Sequence, residues 1–316
     1  MNVGMLTAKV NHITRLRINS DGHGIRSVIF VFGCPLNCLW CCNPETQIGS
    51  DFKTLTTGQL DEYIDRDKPY FKYSGGGVTF SGGEPLMYSD FIAEYVQEYC
   101  SGFSVDIETS LFSDKGSIEI LLPLINEWFV DFKVFDCVAH KKYTGQSNET
   151  IKDNLIFLSN RIATDKITVA YPVIPEYNTS EKNVNDMIGF LSHAGIHKVC
   201  LHQYRKLSEY KKEYLGLQYE ELSEVEPDLN SSIEDTFVKA GFDIVRSNAV
   251  VEKEKCSYLK SIRKQICDEY RIPMEIADCT YEGRCKGTCP KCESEFDLIN
   301  SYLNDNKRKV TNGYES

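Results

Sequence analysis

Seven short runs rich in Val, Ile and Phe punctuate the first 246 residues, and segments with helical spacing lie between them. The runs cover 28–32, 78–80, 103–108, 129–133, 167–174, 198–202 and 243–246, each too short for a helix. A chain that keeps alternating strand and helix buries both by laying its strands parallel and returning over the sheet through helices. The pattern therefore predicts an α/β fold, with the sheet open or rolled into a barrel. Among the helices, Asp90 is a candidate cap for a face of Phe91, Ile92, Tyr95, Val96 and Tyr99, and Thr150 for one of Ile151, Leu155 and Leu158. Ser231 and Glu234 form a capping-box pattern ahead of Phe237 and Val238. The alternation stops near residue 250; 251–268 is charged and helical in character, and 304–316 is polar and expected to fray.

Charge excludes some partners. Thirty-five Lys and Arg against 46 Asp and Glu give a net charge of −11, which argues against broad binding to nucleic acid or an anionic membrane. The uncharged stretch 27–44 has the length of a short membrane span, but Gly33, Pro35, Asn37 and Pro44 interrupt it and four cysteines crowd its end. It reads as a buried strand followed by a ligand-bearing loop. Residues 1–20 lack the apolar core of a secretory signal, so the expected location is cytoplasmic. Thirteen cysteines in that setting point to metal or redox work before disulfides.

Cys34, Cys38 and Cys41 are spaced Cys-x3-Cys-x2-Cys. Three thiolates on one tight loop can hold three corners of a 4Fe-4S cubane and leave the fourth iron open for a ligand. Zinc loops more often pair two Cys-x2-Cys units, so this spacing suits zinc less well. With Trp40 as the aromatic before the third cysteine, the motif resembles that of the radical S-adenosylmethionine (SAM) superfamily. The stretches Asp21-Gly-His-Gly-Ile-Arg26, Gly75-Gly-Gly-Val-Thr-Phe-Ser-Gly-Gly-Glu-Pro85, Asp131-Phe-Lys133 and Tyr143-Thr-Gly-Gln-Ser-Asn148 are similar to segments of the glycyl-radical-enzyme activating enzymes, in the same order.

That resemblance covers roughly residues 12–246 and implies a partial (β/α)6 barrel. The chain then divides into a radical SAM barrel domain, 1–250, and a small cysteine-rich metal-binding extension, 251–316. The resemblance implies that the open iron chelates SAM and that Gly82, Gly83 and Glu84 meet its amino group. It places Glu108, Asp131 and Lys133 near the carboxylate and ribose, with room for a monovalent cation. Trp40 and Cys42 match positions that line the adenine and ribose, Cys42 standing where histidine is common. Arg205 stands where the family has another histidine, and Ala170 where it has an arginine.

Cys279, Cys285, Cys289 and Cys292 pack four thiols into fourteen residues, enough to saturate either a second 4Fe-4S cluster or a zinc ion. Cys256 and Cys267 share one helix face, and either could replace a ligand of that loop. Activating enzymes with extra clusters usually carry them before the Gly-Gly-Glu segment; here 46–74 holds no cysteine.

The leading expectation is a radical SAM enzyme that takes hydrogen from a glycine of a partner glycyl radical enzyme, under anaerobic conditions, with flavodoxin or ferredoxin as electron donor. The alternative is a radical SAM enzyme modifying a peptide or small molecule, with the C-terminal cluster binding substrate or relaying electrons. A non-catalytic iron–sulfur electron carrier or sensor would leave the Gly-Gly-Glu and Asp131/Lys133 segments without a purpose.

Overall fold

The computed structural model describes residues 5–19, 21–246, 252–276 and 289–312. Its strands are β1 (Thr7–Ile18), β2 (Ile25–Val31), β3 (Lys53–Thr56), β4 (Gly77–Gly82), β5 (Ser104–Thr109), β6 (Glu127–Asp131), β7 (Ile167–Val173), β8 (Lys198–Gln203) and β9 (Asp243–Ile244). The helices are α1 (Thr57–Ile64), α2 (Lys68–Ser74), α3 (Ser89–Tyr99), α4 (Lys115–Leu121), α5 (Cys137–Thr144), α6 (Glu149–Ser159), α7 (Glu181–His193), α8 (Leu207–Tyr214), α9 (Pro227–Lys239), α10 (Glu252–Tyr270) and α11 (Pro290–Asn312).

The nine strands form one sheet in the order β3-β1-β2-β4-β5-β6-β7-β8-β9. From β2 onward every neighbouring pair is parallel. Spatial order follows chain order, so the sheet winds in one direction, as a barrel does. β3 and β9 stay unpaired to each other, which leaves the barrel open. The result is a partial (β/α)6 barrel built on β2 and β4 to β8.

All seven expected strands are present, and two more precede or interrupt them. β1 pairs antiparallel with β2 and with β3. Its sequence mixes Lys9, His12, Arg15 and Arg17 with apolar residues, because only part of it is covered. A search for continuous apolar runs finds buried strands and passes over such a one-sided strand. β2, by contrast, is buried along its whole length.

The helix starts differ from expectation. Asp90 lies inside α3, which follows directly on a 3-10 turn over Pro85–Tyr88 and has no side-chain cap. Thr150 lies inside α6, behind Asn148, whose amide instead donates to the carbonyls of Val134 (2.7 Å) and Phe135 (2.8 Å). α9 begins at Pro227, a turn before Ser231, because proline suits the first helical position. Ser231 donates its hydroxyl to the Pro227 carbonyl at 3.0 Å, and Val238 is exposed. The polar C-terminal stretch does not fray at residue 304, since α11 continues through Asn312.

The described residues form three buried clusters, the smallest around Trp40, Val134, Ile174, Tyr204 and Leu222 beside the cysteine loop. The largest packs α1, α3, α4, α6, α7 and α9 against the sheet around Phe80, Trp128 and Val169. The second joins Leu16, Ile18, Ile25 and Tyr70 of the barrel to Leu259, Ile262, Ile266, Phe296 and Ile299 of α10 and α11. Tyr70 and Phe296 stack at 4.2 Å. Glu293 of α11 bonds Arg66 at 2.6 Å, and Glu269 of α10 bonds Lys72 at 2.9 Å. The extension thus packs against the start of β2, the end opposite to Cys34. Cys279 and Cys285, and the expected boundary near residue 250, lie outside the described residues.

Candidate active site

Five of the six parallel strands of the barrel deliver a site residue at or just beyond their C-terminal ends. β2 leads into Cys34, β4 into Gly83 and Glu84, β5 ends at Glu108 and Thr109, β6 ends at Asp131 just before Lys133, and β8 precedes Arg205. In parallel α/β sheets this end is where ligands bind, because the connecting loops converge there.

The glycines of β4 answer first to the sheet itself. Gly82 has φ +103°, and a Cβ there would sit 2.7 Å from Phe30 Cα and Val31 N. A Cβ on Gly83 would meet the Gly33 carbonyl at 2.0 Å. Gly83 N donates to Val31 O (2.9 Å) and Glu84 N to Gly33 O (2.8 Å). The Gly-Gly-Glu segment is therefore clamped to the backbone that launches the cysteine loop. The Glu84 carboxylate is buried and fully engaged. Oε1 accepts from Leu86 N (3.1 Å) and Thr109 Oγ1 (2.5 Å), and Oε2 from Ser110 N (2.9 Å) and Ser110 Oγ (2.5 Å). Four bonds use the acceptor capacity of a carboxylate. A donor arriving at this segment would find its acceptors among the backbone carbonyls.

The cysteine loop is tied from two sides. Asn37 N donates to Thr144 O (2.8 Å) and Leu39 N to Tyr143 O (3.0 Å), which gives the Tyr143–Asn148 segment its structural role at the end of α5. From α8, Lys211 Nζ donates to Cys42 O (2.6 Å) and bonds Glu45 (2.6 Å), while Lys212 Nζ donates to Leu39 O. These two lysines escape a reading of the sequence, because a Lys-Lys pair on a polar helix looks like solvated surface. Trp40 is buried among Tyr143 (6.2 Å) and Tyr177 (5.9 Å), with its Nε1 lacking a hydrogen-bond partner among the described residues. Cys42 is exposed. Arg205 is exposed and makes no hydrogen bond or ion pair among the described residues.

The three motif thiols lie within electrostatic reach of one another and of Lys133. Burial pushes Cys34 and Cys41 up to about 11 and raises Cys38 further, against the opposing pull of Lys133. Gln47 Nε2 lies 3.3 Å from Cys41 Sγ. Lys133 Nζ pairs with Asp131 Oδ2 at 3.0 Å. Burial works against the Lys133 charge, but Asp131 and the Cys38 thiol outweigh it and hold the ammonium above its ordinary range. The donor set fits an iron–sulfur cubane: three protonated thiols surrender their protons to metal, and a fixed cation offsets the charge that results. Among the described residues no three His, Cys, Asp or Glu side chains close on a single ion, as a zinc loop would require. A cubane has no such need, since each cysteine binds a different iron.

Beneath the thiols a column of polar groups descends the barrel interior. Glu108, half-buried, accepts from Ser81 Oγ at 2.5 Å. Burial, then Asp21, push it up to about 8. Two residues earlier on β5, Asp106 pairs with Arg26 at 3.0 Å with both side chains buried. This pair plugs the barrel floor, with Arg26 also donating to Thr79 Oγ1 (2.6 Å) and Ser104 Oγ (2.7 Å).

Residues 28–188 match the model of the radical SAM superfamily. The chain belongs to that superfamily. As a radical SAM protein it is 31% identical over 273 residues to the (2S)-3-sulfopropanediol dehydratase activating enzyme of Klebsiella oxytoca, covering 66% of this chain and 85% of the relative. It is 33% identical over 202 residues to the pyruvate formate-lyase-activating enzyme of Clostridium pasteurianum, covering 63% and 83%. The 4-hydroxyphenylacetate decarboxylase activating enzyme of Clostridioides difficile is 27% identical over 264 residues, covering 63% and 83%. Among solved structures, a radical SAM methyltransferase from Sphaerobacter thermophilus superposes with a TM-score of 0.52 at 14% identity, covering 70% of this chain and 66% of that one. At that identity the likeness concerns the fold alone. No helix among the described residues is long and apolar enough to cross a membrane.

Proposed function

We propose that this radical SAM enzyme is an activating enzyme that cleaves SAM and removes a hydrogen atom from a glycine of a partner glycyl radical enzyme. The observation that carries the reading is the placement of Cys34, Cys38 and Cys41 beside Lys133 at the barrel mouth, in a chain whose curated relatives are activating enzymes of three different glycyl radical enzymes. Cys34, Cys38 and Cys41 would hold a 4Fe-4S cluster. When bound, that cluster supplies the electron that splits the sulfonium of SAM into methionine and a 5′-deoxyadenosyl radical.

The chain's own residues bind and orient SAM. Backbone carbonyls of Gly82 and Gly83 accept from its ammonium group, while Lys133 donates to its carboxylate. Asp131 and Glu108 face the ribose, and Trp40, with the exposed Cys42, borders the adenine. Arg205 is free to reach the ligand from the end of β8. The electron comes from a low-potential flavodoxin or ferredoxin, the setting is an anaerobic cytoplasm, and Cys279, Cys285, Cys289 and Cys292 hold a second 4Fe-4S cluster or a zinc ion.

The test is to load the full chain with iron and sulfide anaerobically, reduce it, add SAM, and measure 5′-deoxyadenosine, with Cys38→Ala as control. Production in the native chain but not in the control, and a glycyl radical signal on adding its glycyl radical enzyme partner, is the expected result. SAM cleavage retained by Cys38→Ala would end the assignment. Cleavage with hydrogen taken from a peptide or small molecule, and never from a protein glycine, would transfer the chain to the peptide- or metabolite-modifying reading.

A further inference from the structure

Residues 217–226 join α8 to α9 without regular structure and lie beside the cysteine loop. A stretch of that kind ordinarily moves with little restraint. Here one residue fastens it. Leu222 alone in the stretch is buried, and it packs with Trp40, Val134, Ile174 and Tyr204. Trp40 stands between the motif cysteines Cys38 and Cys41, so the segment bears on the loop itself. Glu209 of α8, 7% exposed and without an ion pair among the described residues, completes the fastening. Its Oε1 accepts from Leu222 N (3.0 Å) and from the Tyr204 hydroxyl (2.7 Å). Tyr177, edge-on to Trp40 at 5.9 Å, donates its hydroxyl to Glu220 at 2.7 Å.

The closed position is held without being deep. A buried carboxylate lacking a cation is costly, and the Trp40 indole N–H in the same cluster has no partner among the described residues. Both costs fall once the segment lifts and water reaches Glu209 and Trp40. Glu220, Glu221, Glu224 and Glu226 crowd the segment, which contains no Lys or Arg, and their repulsion favours lifting. Both ends suit a hinge. Gly216 has φ +69° with open space around it, and Pro227 begins α9 directly. The segment is also well placed, since Tyr204 lies within electrostatic reach of Cys42 and directly precedes Arg205.

We propose that residues 217–226 form a strap that gates the nucleoside end of the SAM site, closed as the structure shows it, with Glu209 as its latch and Leu222 as its anchor. This rests on the SAM reading above and adds the element that admits the ligand and lets 5′-deoxyadenosine out. The wall of Trp40, Tyr177 and Tyr204 is complete only while the strap is down. A gate differs measurably from a contact residue. Loosening a gate speeds entry and exit by the same factor and leaves affinity in place, because the ligand meets the same site once inside. Losing a contact weakens affinity through faster exit alone.

The test uses the full chain loaded with iron and sulfide, left unreduced so that SAM stays intact. Cleavage within residues 220–226 by a glutamate-specific protease reads strap opening, and rapid mixing with labelled SAM reads entry and exit. The variants are Leu222→Ala, Glu209→Ala and Glu209→Gln, the last keeping an oxygen that accepts from Leu222 and Tyr204. Leu222→Ala and Glu209→Ala should be cut about tenfold faster, the scale of one lost hydrogen bond to a charged group. Both should also take up and release SAM about tenfold faster at native affinity. Glu209→Gln should stay close to native in every measure. If Glu209→Ala does not fold, Leu222→Ala carries the test, since it trims a side chain outside every helix and strand. A native cutting rate in Leu222→Ala would overturn the strap. Faster cutting with native entry and exit, or with weakened affinity, would leave a loose segment and overturn the gate. A loaded native chain that binds no SAM would end the proposed function and the gate with it, whereas the preceding outcomes end the gate alone.

Discussion

Glu84 accepts both the backbone N–H and the hydroxyl of Ser110, at 2.9 and 2.5 Å. One residue of the Gly-Gly-Glu segment is thereby locked to the end of the next strand. Glu84→Ala would strand several buried donors and should destabilise the full chain by about 3 kcal/mol. Urea unfolding at neutral pH reads this directly. An unchanged midpoint would mean that the carboxylate is spare and available to a ligand.

Glu108 gives a pH signature. Its folded value, about 8, stands above the 4.5 of an ordinary glutamate, chiefly through burial. Between those values the native chain holds a proton that the unfolded chain has lost, so the unfolded state binds fewer protons and stability falls as pH rises. Asp106, pushed up to about 7, adds to the same slope. Glu108→Gln should flatten the fall between pH 4.5 and 8 in thermal unfolding of the full chain. A slope as steep as in the native protein would place Glu108 in an ordinary solvated environment.

On the proposed reading of the site, Lys133 meets the carboxylate of SAM. Lys133→Met should weaken SAM binding at least tenfold, about 1.4 kcal/mol, while iron content stays native. Equilibrium binding of SAM to the loaded chain gives the first quantity and metal analysis the second. Native affinity would leave the Asp131–Lys133 pair a purely structural one.

Lys212 ties α8 to the Leu39 carbonyl and acts electrostatically on Cys41 and Cys38. Removing a cation there makes an electron harder to add to a negatively charged cluster. Lys212→Met should lower the reduced-to-oxidised ratio at a fixed potential about tenfold, with Lys212→Arg close to native. Redox titration followed by electron paramagnetic resonance decides it, and equal potentials in all three proteins would refute it.

Phe296 tests whether the extension is an appendage. It is fully buried against Tyr70, so Phe296→Ala should cost about 3–5 kcal/mol. If the barrel and extension unfold together, the loss appears in the barrel's own transition, followed through Trp128 fluorescence. A shift confined to a separate, earlier transition would show the two to be independent.

The sequence carried strands such as β2 and β7 because nearly every residue in them is buried, so Val28 to Phe32 and most of Ile167 to Ile174 read as apolar runs. β1 hid behind Arg15 and Arg17, whose charges are absorbed by the distant Asp67 and by Asp21 just past the strand end. The site was legible where chemistry dictates spacing, as in the cysteine loop, and where a strand end places charges, as at Asp131 and Lys133. It was illegible where a partner lies far along the chain. Nothing local in Lys211 announces Cys42 and Glu45, more than 160 residues away. Separation also hides Arg263, a helix-forming residue in sequence that becomes a core cation only when α11 brings Cys292, 29 residues on, beside it.

Leu16 on the first strand and Ile299 on the last helix share one core. During synthesis, β1 and β2 emerge long before α10 and α11 exist. The floor of Leu16, Ile18 and Tyr70 must therefore wait uncovered while most of the chain is made. The barrel mouth, built from segments that follow one another along the chain, can assemble first. The order of manufacture thus sets a vulnerability: a nascent chain stalled before residue 259 would display an apolar floor beneath a nearly finished active site, a surface suited to capture by a chaperone.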